Sequence, residues 1–211
     1  MSADVSDGRP ADPRDVFLRG KHVILRALTE DDVHHSGWYG WFNDEESCLL
    51  TQHHRFPNSR ALQLEYFRNE ILNAQGKLQL GICAAVGEQL VGVASLQDID
   101  HLNGTAQLAI MIGEKAHRNV SCFVEAFRLM IRHGFNNLNL RRIYDGTMSP
   151  QLAELCCRSL GFRKEGVHRQ HIYKNGRYYD VYLIGLLKDE FIDDGQPPSA
   201  TALSDDAGAV R

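Results

Sequence analysis

The sequence predicts a mixed α/β fold, a twisted and mostly antiparallel central sheet of about seven strands with helices on both faces. Three observations carry that expectation. Apolar residues recur with a period of two in some segments and of three to four in others. Three consecutive apolar runs are separated by short turn signals, the mark of antiparallel neighbours. A later strand–helix–strand passage requires at least one crossover. With 211 residues, 43% hydrophobic and 24% charged, the chain can bury one core, so a disordered chain, a collagen and a disulfide-stapled miniprotein are excluded.

Residues 22–28 (HVILRAL) read as the first strand. Thr29, followed by Glu30, Asp31 and Asp32, is an N-cap with an acidic first turn and opens a helix expected to run through about Phe42. After Pro57, Ser59 or Asn58 caps a second helix, whose Leu62, Phe67, Ile71 and Leu72 are expected on one face and which ends near Gly76. Then come 78–86, 90–99 and 106–112, divided by Gly87-Glu88 and by 101–105 with its Asn103-Gly104, an antiparallel meander. Val124, Phe127, Met130, Ile131 and Phe135 fall at helical spacing and predict a helix to about Asn137. Residues 140–147 form a strand. Ser149 caps a short helix with Pro150 at its first position and Gly161 as its stop. The last unit is a hairpin, 166–173 and 178–187 about a primed turn at 174–177.

Both ends, 1–16 and 193–211, read as polar tails, which leaves a folded domain at 17–192. The polar, acidic start lacks the regions of a secretory signal, so a cytoplasmic location is expected. No apolar stretch approaches the roughly 18 residues of a membrane helix, and a net charge of −4 argues against a nucleic-acid partner. The five cysteines include no C-x-x-C pair, so free thiols and no metal are expected. His168 and His171, three apart on an expected strand, should point to opposite faces. Trp38, Tyr39 and Trp41 either line a pocket or join the core.

Several strings, taken together and in order, carry a resemblance: Trp41-Phe42-Asn43-Asp44, Leu90-Val91-Gly92-Val93, AQLAIMIG at 106–113, FNNLNLRRIY at 135–144, SLGFRKE at 159–165 and YKNGRYYDVYLIGLL at 173–187. The chain resembles the GNAT superfamily of acyl-coenzyme A N-acyltransferases, more closely its RimJ/RimL-like branch, over nearly the whole of 17–191. The resemblance implies transfer of an acetyl group from acetyl-CoA, as co-substrate and without a metal, to a primary amine by direct attack on the thioester. The acceptor it suggests is a small molecule such as an amino-sugar nucleotide, with a protein N-terminal amine or an aminoglycoside as alternatives. A monomer or homodimer is expected. A second reading is a GNAT-shaped domain that serves as a binding or assembly module.

Carried over by residue, the resemblance implies that backbone N–H groups of Ile110, Met111 and Ile112 stabilise the thioester oxygen. It places the coenzyme A pyrophosphate on 118–123, where Arg118 matches the family pattern and both of the family's glycines are replaced, in the run Arg118, Asn119, Val120, Ser121, Cys122, Phe123. A bulky Phe123 then stands where backbone should approach the ligand closely. Gln107 occupies the place of a family glutamate, Pro150 that of an asparagine, and Cys157 that of the tyrosine that protonates the leaving thiolate. Cys157 is therefore the candidate acid, with a packed small hydrophobe as its alternative. Asp98, Asp100 and His101, at the end of the third strand, are candidate bases or else turn residues.

Overall fold

The computed structural model describes residues 15–193; of the two expected tails, 1–14 and 194–211 lie outside the described residues. The elements follow in the order β1 (Val16–Arg19), β2 (Val23–Arg26), α1 (Glu30–His35), α2 (Trp38–Trp41), α3 (Arg60–Tyr66), β3 (Leu78–Ala84), β4 (Leu90–Asp100), β5 (Thr105–Ile112), α4 (Val120–Asn137), β6 (Arg142–Thr147), α5 (Pro150–Leu160), β7 (Arg163–Lys174) and β8 (Arg177–Leu187). The strands form one sheet in the spatial order β1-β2-β3-β4-β5-β6-β8-β7. Every neighbouring pair is antiparallel except β5 and β6, which α4 joins by the expected crossover.

Alternation along the strands feeds two apolar layers. Val23 and Leu25 pack with α4 and α5 through Phe127, Met130, Phe135 and Leu160. Ile24, between them, faces the other way, into a cluster with Val33, Trp38, Trp41 and Phe67. Trp38 and Trp41 therefore belong to the core. At the end of β5, a Cβ added to Gly113 would lie 1.9 Å from the Trp41 ring, so that glycine lets β5 pass close beneath the indole.

Four expectations change. β1 joins the sheet as an eighth strand that the pattern did not reveal, because four residues carry too little alternation. The helix expected from Thr29 to Phe42 breaks at Ser36, whose backbone is extended and whose hydroxyl bonds back to the Asp32 carbonyl. Its start is as expected, with Thr29 accepting from the Asp32 amide and Asp32 accepting from the Thr29 amide. The 59–76 helix ends at α3 and continues as a π-helical turn, Phe67–Ile71; the buried face runs through Gln63 and Phe67, while Leu62 and Leu72 are exposed. In β7 a bulge, with Gln170 at φ 50°, brings His168 and His171 to the same side, ring centroids 5.0 Å apart.

The β7–β8 hairpin turns as expected, with Asn175 at φ 48° and Gly176 at φ 79°. Beside that turn Lys174 is buried, its Nζ donating to the carbonyls of Cys48 (2.5 Å), Thr51 (2.8 Å) and His53 (3.2 Å). One charged side chain thus ties the irregular 42–58 segment to the hairpin. Asp180 accepts from the Gln170 amide across the same pair of strands, at the bulge. Among the described residues no helix is long and apolar enough to cross a membrane.

Candidate active site

The site begins where two parallel strands separate. β5 and β6 pair only over 105–107 against 142–144. Beyond that point β5 stays paired with β4 to Ile112 and β6 stays paired with β8 to Thr147. The twist between those two halves draws the strands apart and leaves one edge of β5 without a ladder partner. The wedge opens into a cleft of about 1110 Å³, at the upper end of small-molecule sites and large enough for two ligands.

Ile110, Met111 and Ile112 line this cleft along the unpaired edge. Arg118, Asn119, Val120 and Phe123 line its mouth and floor. The Arg118 guanidinium ties its own loop to the 42–58 segment: Nε donates to the Ile112 carbonyl (3.1 Å), and Nη2 to the Gly113 carbonyl (2.9 Å) and across the cleft mouth to the Ser47 hydroxyl (2.5 Å). Asn119 caps α4 by accepting from the Cys122 amide at 2.9 Å, and the Phe123 amide donates to the Asn119 carbonyl at 3.2 Å. The amides of Val120 and Ser121 precede the first intrahelical bond and remain for a ligand. None of residues 118–123 has a positive φ, so the missing glycines cost no backbone strain. The Phe123 ring packs on Phe127 at 4.5 Å between centroids, on the cleft floor rather than over the helix start. The Cys122 thiol is buried in the core, and Ser121 is exposed outside the cleft lining.

The four candidate acid and base residues stand elsewhere. Cys157 packs against the core under α5, where burial pushes its thiol up, while α5 turns Leu152 and Leu155 to the cleft. Its role as thiolate acid is not supported by that placement. Asp100 closes the β4–β5 turn, accepting from the amides of Leu102 and Asn103 (both 2.9 Å) and from Asn103 Nδ2 (2.6 Å); the Asn103 bonds, foremost, hold its carboxyl below the ordinary range. Asp98 sits exposed in a left-handed bulge at φ 51°, and His101 is exposed in the turn. Asp98 is thus a bulge residue and Asp100 and His101 turn residues, none lining the cleft, because this end of β4 lies beside 105–107, where β5 and β6 are still paired.

The carboxylate that reaches the apex of the wedge is Asp145, on β6 immediately past the last β5–β6 pair. Its Oδ1 accepts from the Gly146 amide (2.7 Å) and faces Gln107 Nε2 at 3.5 Å. Burial pushes its carboxyl up to about 7, and the Gly146 and Gln107 donors oppose that rise. A signal for it existed: Asp145 lies between Ile143 and Thr147 on alternate positions of one strand face, both of them buried, an unusual place for an acid. The facing wall is polar and mostly neutral, with Gln63 and Tyr66 of the α3 segment, Gln79 of β3, and Gln97 of β4. His53, His54 and Arg55 form its rim.

Comparison with known proteins agrees with this architecture. The model of a family described as "Acetyltransferase (GNAT) domain" matches residues 22–163. The chain is 28% identical over 183 residues to the "Probable N-acetyltransferase YjcK" of Bacillus subtilis, covering 82% of this chain and 98% of the relative. It is 34% identical over 107 residues to the "Uncharacterized N-acetyltransferase p20" of Bacillus licheniformis, covering 49% and 58% of the two chains. Among solved structures, the spermidine N-acetyltransferase of Vibrio cholerae in complex with CoA and spermine superposes with a TM-score of 0.74 at 20% identity, over 82% of this chain and all of that one. That likeness establishes the fold.

Proposed function

The chain belongs to the GNAT acetyltransferase family and is an acetyl-CoA-dependent N-acetyltransferase, and from that premise we propose that its acceptor is a small polar primary amine of the amino-sugar nucleotide class. One observation carries the choice: the acceptor wall is built of uncharged hydrogen-bonding groups. Gln63, Gln79, Gln97, Gln107 and Tyr66 suit the hydroxyls of a sugar. Two carboxylates line the cleft, and one of them, Glu46, is paired with Lys115 (2.6 Å) and Arg118 (3.3 Å). A polyamine, with several separated cations, would meet one available anion; Arg55 on the rim favours a phosphorylated acceptor instead, beside His53, which burial keeps neutral near pH 7 as a hydrogen-bonding group.

In this reading the pyrophosphate of acetyl-CoA rests on the amides of Val120 and Ser121, at the positive end of the eighteen-residue α4. The pantetheine arm follows the unpaired edge of β5, over the Phe123 and Phe127 rings. Acetyl-CoA supplies the activated acyl carbon, and N–H groups on the free edge at 110–112 receive the charge that grows on its oxygen. Proximity within the wedge supplies much of the acceleration, since holding two reactants in place is worth up to roughly 7–11 kcal/mol.

The test is thiol release from acetyl-CoA with a panel of acceptors. Nucleotide-linked amino sugars should give kcat/KM values at least tenfold above spermidine, spermine and peptide N-termini. A polyamine at the head of the panel would overturn the acceptor assignment.

A further inference from the structure

We infer that Asp145 is the general base of this acetyl transfer, the group that takes the ammonium proton of the acceptor, and that Gln107 positions it. The inference rests on the cleft receiving acetyl-CoA and an amine, and not on which amine. Asp145 is the first residue of β6 beyond the strands' divergence, so its side chain stands at the apex of the wedge. Any acyl group held along the β5 edge and any amine approaching from the glutamine wall must meet near that apex.

The carboxylate is half committed. Oδ1 is fixed by the Gly146 amide at 2.7 Å and by Gln107 Nε2 at 3.5 Å, while Oδ2 makes no hydrogen bond among the described residues. The other cleft carboxylate, Glu46, is ion-paired at the mouth. No cation among the described residues pairs with Asp145. The titratable group facing it is the Cys156 thiol from α5, which burial and then the Asp145 charge push up to about 12, so it stays protonated. On its β8 side the register partner is Ile184, and the cleft-lining residues of α4 and α5 are Phe127, Leu152 and Leu155. A carboxyl so placed exchanges its proton near neutral pH, where an amine must be discharged before it can attack.

The step balances as follows. The ammonium gives one proton to Asp145 Oδ2, and the free amine nitrogen attacks the thioester carbon. The C–N bond forms, the C–S bond breaks, and the second proton shed by nitrogen ends on the departing sulfur. Asp145 then releases its proton to solvent through the open cleft.

The experiment has two arms. In the full chain without ligand, carbon-13 NMR of labelled aspartate carboxyls, assigned with Asp145→Asn, should show one group titrating near neutral pH. An Asp145 titrating in the ordinary carboxylate range, below pH 5, would overturn the inference even if no acceptor were found. In kinetics with whichever amine the panel identifies, kcat/KM should rise with pH through about 7. Asp145→Asn should lose about 10²–10⁴-fold and lose that limb, while acetyl-CoA still raises the melting temperature. Gln107→Leu removes a donor to the charged carboxylate and should move the limb to higher pH. An unchanged kcat/KM in Asp145→Asn, or a limb that falls at neutral pH, would refute the base assignment. Failure of amino-sugar nucleotides alone, with another amine accepted, would refute only the acceptor class.

Discussion

The two walls of the cleft are built on different principles. The β5–α4 wall presents main chain: an unpaired strand edge and the first amides of a long helix, braced by Arg118 through the carbonyls of Ile112 and Gly113 and joined by the same guanidinium to Ser47 of the other wall. The 42–58 wall presents side chains on a segment without regular secondary structure past α2, held by Lys174 and by a pair of asparagines, the Asn58 amide donating to Asn43 Oδ1 at 2.7 Å. Groups of the first kind tolerate changes of side chain, because strand divergence and helix geometry place them. That is why two absent glycines leave the start of α4 intact. Groups of the second kind depend on single anchors, and under the proposed function a substitution there should redirect acceptor choice with little change in the wall assigned to acetyl-CoA.

The strongest way to break the contrast is Phe123→Gly. If the cofactor wall depended on a glycine there, the change would tighten acetyl-CoA; the packing of the ring on Phe127 instead predicts a loss of about 3 kcal/mol in stability, read by denaturant unfolding, and no gain in affinity. Lys174→Met comes next. Three buried carbonyls lose their donor, so stability should fall by about 2–3 kcal/mol. The KM for the amine should rise while acetyl-CoA affinity stays within a factor of two. Equal weakening of both substrates would show that the walls are not independent.

Asp145→Asn sharpens the comparison from the apex, through pH. The folded state holds the Asp145 proton up to about 7, whereas the unfolded chain releases it in the ordinary carboxylate range. The stability it contributes is therefore fully present in acid and is lost as pH climbs toward 7. After discounting for solvent reaching the cleft, Asp145→Asn should be about 2 kcal/mol more stable than the parent at pH 8 and equal to it near pH 4. Thermal melts at the two values decide this. The smallest effect belongs to Val120→Pro. Proline fits the first helical position, and Asn119 before it is already extended at φ −129° and ψ 160°, so the fold should be unchanged. One amide donor is removed, and acetyl-CoA should bind about tenfold more weakly. Unaltered binding would remove that N–H from the pyrophosphate site.

Much of this molecule was legible along the chain. The caps at Thr29, Ser59 and Ser149, the Gly161 stop, the meander and the Asn175-Gly176 turn all stand where local patterning puts them. What failed to read were features set by departures from regular period: the break at Ser36, the π turn after Tyr66, and the bulges in β4 and β7. Each shifts phase by about one residue, and a shift of one residue sends every later side chain to another face. Asp98, Asp100 and His101 stand at the strand end and turn where the sequence put them, and only the sheet register shows that this end lies away from the opening of the cleft. Cys157 packs on the core, the alternative the sequence left open, because helical spacing does not say which face of α5 meets the cleft.

The sequence by itself determined most of the order of elements from β2 onward, which follows from local hydrogen bonding, capping and hydrophobic period, and through its resemblance it pointed to the family. Tertiary structure alone decided which residues meet in the wedge. Asp145 and Gln107 are 38 positions apart and come together only because β5 and β6 pair for three residues and then part. Lys174 finds the carbonyls of Cys48, Thr51 and His53 only through the reach of a long hairpin. Local chemistry specifies the elements, while the twist of the sheet determines where they separate and which polar groups face the gap.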